Sequence, residues 1–187
     1  TGEKAQGHYV LAADQTFGDA SIRYGLAEPK SFERMLQAAL DENPRSTVLV
    51  KIHPDVFSGR KRGYFDARTL SRIARVQVVA EDLHPVRLIE KALAVYVVTS
   101  QIGFEGLLWG KPVRTFGMPF YGGWGLTQDD LPAPQRRRPA ALEQLVHAAL
   151  IAYPRYVNPE TGKRCEVEEV LAHIALQRRL RGRYPHH

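Results

Sequence analysis

Apolar residues along this chain fall into short runs divided by segments with helical spacing. Runs over residues 8–14, 47–53, 76–80, 94–100 and 112–116 read as strands, rich in Val, Ile and Leu. Between them, residues 31–40, 66–74, 85–92 and 103–109 place apolar side chains three and four apart. The first of these segments opens on Ser31 with Glu33 behind it, a helix-start pattern, and Asn43-Pro44 stops it. Pro85 sits in the first turn of another, where a missing N–H costs nothing. Strands alternating with helices imply βαβ units and hence a parallel sheet with right-handed crossovers. Two more helices, 140–152 and 167–180, follow a basic, proline-rich connection at 132–139. The pattern therefore predicts an α/β fold: a parallel sheet with flanking helices and two C-terminal helices. One domain over residues 1–187 is expected, with its closing helical part at 140–182.

The 47–53 strand carries the first candidate chemistry. Strands buried on both faces are unbroken apolar runs, yet this one ends in Lys51 and His53, locked by Pro54. Alternation puts Lys51 and His53 on one face, at the carboxyl edge where open α/β sheets bind ligands. A histidine satisfied by loop carbonyls beside a solvated lysine accounts for them equally well. After the 94–100 strand, the hydroxyls of Thr99 and Ser100, a turn with Gly103 and a helix start converge where a phosphate would sit. Neither a Walker A loop nor a Gly-x-Gly-x-x-Gly pattern is present. Glu105, expected in the first helical turn, either compensates the helix dipole or accepts hydrogen bonds from sugar hydroxyls. The loop after the first strand holds Asp14, Gln15, Asp19 and Ser21. Its carboxylates suit nucleophilic or general-base work at an anomeric carbon, or Asp14 ends a strand and Asp19 caps the next helical turn. A loop with Tyr121, Gly122, Gly123 and Trp124 suits a sugar or base, or packs on a neighbouring domain.

Charge narrows the partners without choosing one. A net charge of +6 favours an anionic ligand or surface. Basic residues gather at Arg60, Lys61 and Arg62, at Arg136, Arg137 and Arg138, and in the tail at Arg178, Arg179, Arg181 and Arg183. Each cluster reads first as solvated surface, and the tail is the best candidate for an anionic membrane surface. Aromatic and basic residues are not interleaved as in single-strand nucleic-acid binders, so no nucleic-acid partner is expected. No run approaches the ~20 apolar residues of a membrane span, and the start lacks a signal-peptide core; a cytoplasmic chain is expected. Lone Cys165 excludes an internal disulfide and a cysteine metal site, and reads as incidental.

Several blocks together carry more than any one motif. They are ADQTFGDASI at 13–22, VKIHPD at 50–55 with Ser58 and Gly59, VVTSQIGFE at 97–105, and GKPV at 110–113. FGMPFYGGWGLT at 116–127, YPRYV at 153–157 and ALQRR at 175–179 complete the set. Over nearly the whole chain these blocks resemble the KpsC/LipA family of capsule polysaccharide β-Kdo transferases. That resemblance implies the Rossmann-like, carboxyl-terminal nucleotide-binding half of one module of a retaining GT-B glycosyltransferase. Such an enzyme transfers Kdo, an acidic eight-carbon sugar, from CMP-β-Kdo to a lipid-linked poly-Kdo linker. By position, His53 and Pro54 would contact the CMP phosphate, Ser100 and its helix would share it, and Glu105 would contact the nucleotide. Asp19 would be the nucleophile, with Lys51 and a protonated His53 stabilising the departing monophosphate.

No metal or other cofactor is expected, since there is no Asp-x-Asp. The implied partners are the CMP-Kdo donor, the lipid-linked Kdo acceptor, an N-terminal GT-B half and an anionic surface at the inner face of the inner membrane. Because the chain starts almost at its first strand, the acceptor half is expected elsewhere and the chain is expected to be inactive alone. Two alternatives stand beside this reading: half of a UDP-sugar transferase or epimerase, and a non-catalytic basic binding module.

Overall fold

The first apolar run becomes one of the two central strands of the sheet. Residues Tyr9–Ala13 form β1, with every side chain buried, and the molecule is built outward from it. This computed structural model describes residues 9–52, 54–79 and 85–183; His53 therefore lies outside the described residues. The chain divides after Leu142 into two compact units.

In the first unit, β1 is followed by α1 (Ala20–Tyr24), α2 (Pro29–Glu42), β2 (Thr47–Lys51), α3 (Pro54–Phe57) and α4 (Ala67–Leu70). Then come β3 (Val76–Val79), α5 (Pro85–Lys91), β4 (Val95–Val97), α6 (Gln101–Leu108), β5 (Val113–Thr115) and β6 (Gln128–Asp129). The six strands pair in parallel in the order β3-β2-β1-β4-β5-β6. This is the doubly wound Rossmann-like order, whose direction of winding reverses between β1 and β4. Val10 and Ala12 of β1, Val48 and Val50 of β2 and Tyr96 of β4 meet Phe32, Met35, Leu36 and Ala39 of α2 in one core cluster. Each large apolar side chain buried there contributes roughly 1.5–3 kcal/mol.

Helix α2 starts earlier than Ser31 suggested. Pro29 occupies its first turn and Glu28 is the N-cap residue, with the Ser31 hydroxyl reaching back to accept from Glu28 N at 3.3 Å. Ser31 is buried in this reversed cap instead of opening the helix. The other end is closed by Arg75, whose guanidinium donates to the carbonyls of Leu40, Asn43 and Ser46, so the last helical carbonyls keep partners.

The second unit, from Glu143 on, holds most of α7 (Leu142–His147), a π-helical turn at Ala148–Ala152, and β7 (Tyr156–Val157) antiparallel to β8 (Arg164–Cys165). Helix α8 (Val167–Arg183) ends it. Two-residue strands are too short for any period to betray, and the sequence pattern missed this hairpin. It is closed by Asn158, whose Oδ1 accepts from Glu160 N and Thr161 N, and by Gly162 at φ +67°. Burial and the nearby Glu169 and Glu166 push the Cys165 thiol up, away from reactive thiolate character.

Candidate functional site at the winding reversal

The carboxyl ends of β1, β2 and β4 open onto a cleft of about 370 Å³. Its lining contains Asp14, Gln15, Asp19, Ser21, Lys51, Thr99 and Ser100, all expected from sequence, and adds Thr16, Gln101 and Ile102. The reversal of winding separates the loops after β1 and β4, which makes the crevice between them.

Gln15 is the hub of the floor. Its Oε1 accepts from Thr99 N at 3.0 Å, and its Nε2 lies 3.1 Å from Thr99 Oγ1 and 3.2 Å from Ser21 Oγ. The Ser21 and Thr99 hydroxyls are 3.0 Å apart. This amide ties the β1 loop to the end of the β4 segment with both residues buried; losing it strands buried donors, at roughly 1–3 kcal/mol. Asp19 caps α1, its Oδ1 accepting from Ser21 N at 2.9 Å. Among the described residues, Asp19 Oδ2 holds only a long 3.5 Å contact from Gln15 Nε2. The cap therefore orients the carboxylate and leaves one oxygen lightly bonded.

Asp14 is a latch. Its Oδ1 accepts from Gln15 N at 2.9 Å and Tyr64 N at 3.1 Å, and its Oδ2 from Phe65 N at 3.4 Å. Burial pushes its carboxyl above the ordinary range, against the pull of those three N–H groups. The latched strand of loop crosses at an isolated Thr16–Gly63 bridge, where a Cβ on Gly63 would meet Asp14 Oδ2 at 2.4 Å. Lys51, only 8% exposed, ends β2 on the cleft wall. Pro54 starts α3, and the His53 expectation falls on a residue outside those described.

Ser100 caps α6, its Oγ accepting from Ile102 N at 3.3 Å. The helix starts at Gln101, two residues before the sequence pattern placed it. Glu105 consequently sits in the second turn, where it cannot serve as a first-turn dipole partner. Its Oε2 is shielded from solvent and has no hydrogen-bond partner among the described residues. Gly103 is buried with its Cα against Tyr121: an added Cβ would lie 2.3 Å from the Tyr121 hydroxyl and 2.8 Å from Val97 Cγ2. Its smallness makes room for the ring.

The Tyr121, Gly122, Gly123 and Trp124 loop does not line the cleft. Tyr121 is fully buried, donates to the Ser100 carbonyl, and its phenol is pushed up chiefly by desolvation. Gly123 N donates to Asp129 Oδ2, and Trp124 Nε1 donates to the Phe120 carbonyl. Arg137, in a cluster read as solvated, donates to the carbonyls of Pro119 and Gly122 and covers the Trp124 ring at 5.3 Å. A guanidinium with planar donors ties this loop down, and only the fold reveals it.

Among the described residues no three His, Cys, Asp or Glu groups are placed to hold a metal ion, and no helix is long and apolar enough to cross a membrane.

Comparison with known proteins adds to this geometry. Residues 2–156 match the family model described as capsule polysaccharide biosynthesis protein. The chain is 47% identical over 176 residues to the capsule polysaccharide modification protein LipA of Neisseria meningitidis serogroup A, covering 91% of this chain and 25% of that protein. It is 37% identical to the lipopolysaccharide-processing protein LpsZ of Rhizobium meliloti, covering 38% of it. The chain thus spans about a quarter to two fifths of the curated relatives it matches. Among solved structures, Thermosulfurimonas dismutans KpsC, beta Kdo 2,4 transferase, superposes with a TM-score of 0.82 at 45% identity, covering 91% of this chain and 53% of that one. The beta Kdo 2,7 transferase of the same KpsC gives a TM-score of 0.78 at 31% identity, covering 95% and 57%. With its family match extending across the whole sheet and its cleft, the chain belongs to the capsule polysaccharide biosynthesis protein family, as a domain of the KpsC/LipA type.

Proposed function

We propose that the cleft binds CMP-Kdo and that Asp19 carries the sugar, making this chain the donor-binding half of a retaining GT-B β-Kdo glycosyltransferase acting on a lipid-linked poly-Kdo acceptor. One observation carries the reading: a half-open carboxylate, Asp19, shares a switch-point cleft with Lys51 and with Ser100 at the start of α6. A cation and a helix N-terminus favour an anionic phosphate, so the CMP phosphate belongs at Lys51 and Ser100. The orphan Glu105 Oε2 is a ready acceptor for a ribose hydroxyl.

In the first displacement Asp19 Oδ2 attacks the anomeric carbon. A carbon–oxygen bond to Asp19 forms, the bond to the phosphate breaks, and CMP leaves with the electron pair. Lys51 and the α6 N-terminus stabilise the charge that collects there without a metal, and His53 by its sequence position is the candidate acid for the phosphate. In the second displacement an acceptor hydroxyl loses its proton to a base and displaces Asp19, so two inversions retain configuration.

Calorimetric titration with CMP, against UMP and UDP, tests the donor site: selective CMP binding is expected, and equal or absent binding argues against it. Intact-mass spectra after CMP-Kdo treatment should gain one Kdo residue in the native chain and none in Asp19→Asn. An adduct that persists in the variant rejects the nucleophile. The exposed Arg178 and Arg179 of α8 suit an anionic bilayer face, and sedimentation with anionic vesicles, compared with neutral ones, checks that association.

A further inference from the structure

The amide of Gln15 has one possible orientation. Thr99 N can only donate, so the amide atom 3.0 Å from it is the oxygen, and the nitrogen is turned toward Ser21 and Asp19. Three oxygens lie within reach of that nitrogen: Thr99 Oγ1 at 3.1 Å, Ser21 Oγ at 3.2 Å and Asp19 Oδ2 at 3.5 Å. An amide nitrogen carries two hydrogens, so the three oxygens compete for them. In this structure the carboxylate oxygen is the one left farthest away.

The surroundings keep the amide from swinging. A Cβ on Gly25 would lie 2.5 Å from the Thr99 methyl, and one on Gly117 would lie 2.8 Å from it. Both glycines therefore form a slot for that methyl, and with the methyl seated there the Thr99 hydroxyl faces Gln15 and Ser21. The slot is itself tied down, since Gly25 N donates to the Ser21 carbonyl at 2.8 Å and Met118 N to the Gly25 carbonyl at 2.6 Å. Gln15 and Thr99 are both buried. What remains adjustable is which oxygen receives the second amide hydrogen.

That choice depends on charge. A hydrogen bond to an ionised oxygen is roughly twice as strong as one to a neutral hydroxyl, whereas an ester oxygen is a poor acceptor. Resting on the reading of Asp19 as the transfer nucleophile, we propose that Gln15 is a positioning residue for Asp19: its Nε2 hydrogen sits on Ser21 Oγ while the sugar is attached and moves to Asp19 Oδ2 as the sugar leaves. In that departure the bond between the anomeric carbon and Oδ2 breaks, its electron pair returns to Oδ2, and the incoming oxygen of CMP or of the acceptor forms the new bond; an acceptor hydroxyl gives its proton to a general base. The amide thereby stabilises the free carboxylate relative to the sugar ester, so the intermediate is drawn onward and does not accumulate.

The ratio of sugar-bearing to free protein, read by intact mass at fixed CMP-Kdo and CMP with and without the acceptor half supplied, tests this. Gln15→Met removes the donor and should raise the ratio by about threefold to tenfold, the worth of a hydrogen bond to a charged group. Ser21→Ala removes the competing oxygen, keeps the backbone cap on Asp19, and should lower the ratio by a similar factor. Opposite signs are the signature, because a merely structural loss would move both variants the same way. Where Gln15→Met fails to fold, Ser21→Ala carries the test. A readout that needs no transfer is the pair of Gln15 amide proton signals in proton–nitrogen spectra: Asp19→Asn should move one of them upfield, and Ser21→Ala should move it downfield. Ratios unchanged in both variants or shifted in one direction, or Gln15 signals indifferent to Asp19→Asn, overturn the role of Gln15. Absence of any adduct with the acceptor half supplied, while the Gln15 signals respond as expected, overturns the Asp19 reading instead.

Discussion

Tyr96 and Thr99 stand three residues apart, both bury a hydroxyl, and the networks they enter end differently. Around Tyr96 the network closes on packed side chains, with Arg114 Nε left buried and without a hydrogen-bond partner among the described residues. Its hydroxyl donates to Glu42 Oε2 at 2.8 Å and accepts from Asn43 Nδ2 at 2.8 Å, while Glu42 Oε1 takes Arg114 Nη2 at 2.7 Å. Burial and the Glu42 carboxylate push the Tyr96 phenol up to about 12, so it is a permanent donor at any ordinary pH. Around Thr99 the bonds run outward through Gln15 and Ser21 and reach Asp19, whose Oδ2 is lightly held on an open cleft. The closed network joins the end of α2 to β4 and β5. The open one delivers an oriented carboxylate to solvent-accessible space, and that unfinished end is what chemistry needs.

Substitutions should separate these two networks. The largest effect is expected for Asp19→Asn, which keeps a good helix cap and removes the proposed nucleophile. With the acceptor half supplied, Kdo transfer should fall by at least about a thousandfold, as losses of covalent nucleophiles do, with the melting temperature nearly unchanged. A large thermal loss would make Asp19 a structural cap first. Next is Gly103→Ala, which forces a Cβ into the Tyr121 ring. Overpacking of this kind costs about 1–3 kcal/mol, or several degrees in thermal denaturation, and tilting the start of α6 should weaken CMP binding as well.

Tyr96→Phe should cost about 1 kcal/mol, the usual worth of a buried hydrogen bond, and leave CMP affinity alone. Thr99→Val should cost a similar amount and also weaken CMP binding; equal CMP affinities in the two variants would erase the contrast between the networks. The smallest effect is a slope. Because the Asp14 carboxyl titrates above its unfolded value, the native state binds its proton more tightly than the unfolded state does. Its contribution is fully present below the unfolded pKa and is lost as pH rises through the folded one. The stability of Asp14→Asn relative to the native chain should therefore improve as pH rises out of the carboxylate range. Denaturant melts at stepped pH check the sign.

Much of the site was readable in residues 13–22, 47–55 and 97–105, because loops that follow parallel strands must emerge at one edge. Glu105 was placed a turn too early, since a two-residue shift in where a helix begins leaves no mark on its apolar spacing. The loop of Tyr121 and Trp124 leaves two readings open in the sequence, a sugar or base ligand and packing on a neighbouring domain, because aromatic and glycine residues suit both. The structure buries the Tyr121 ring against Gly103, a contact that no local pattern marks.

What the sequence determined by itself was the alternation of apolar runs and helical segments, hence a parallel sheet, and a set of polar residues at strand ends. Those follow from local periodicity, which each segment carries alone. The tertiary structure decided which ends become neighbours. It placed β1 beside β4, joined Gln15 to Thr99 across 84 residues, clamped the 116–127 loop with Arg137 and set Arg62 over Phe17. Contacts between distant segments depend on strand order and loop closure, quantities that no single segment encodes.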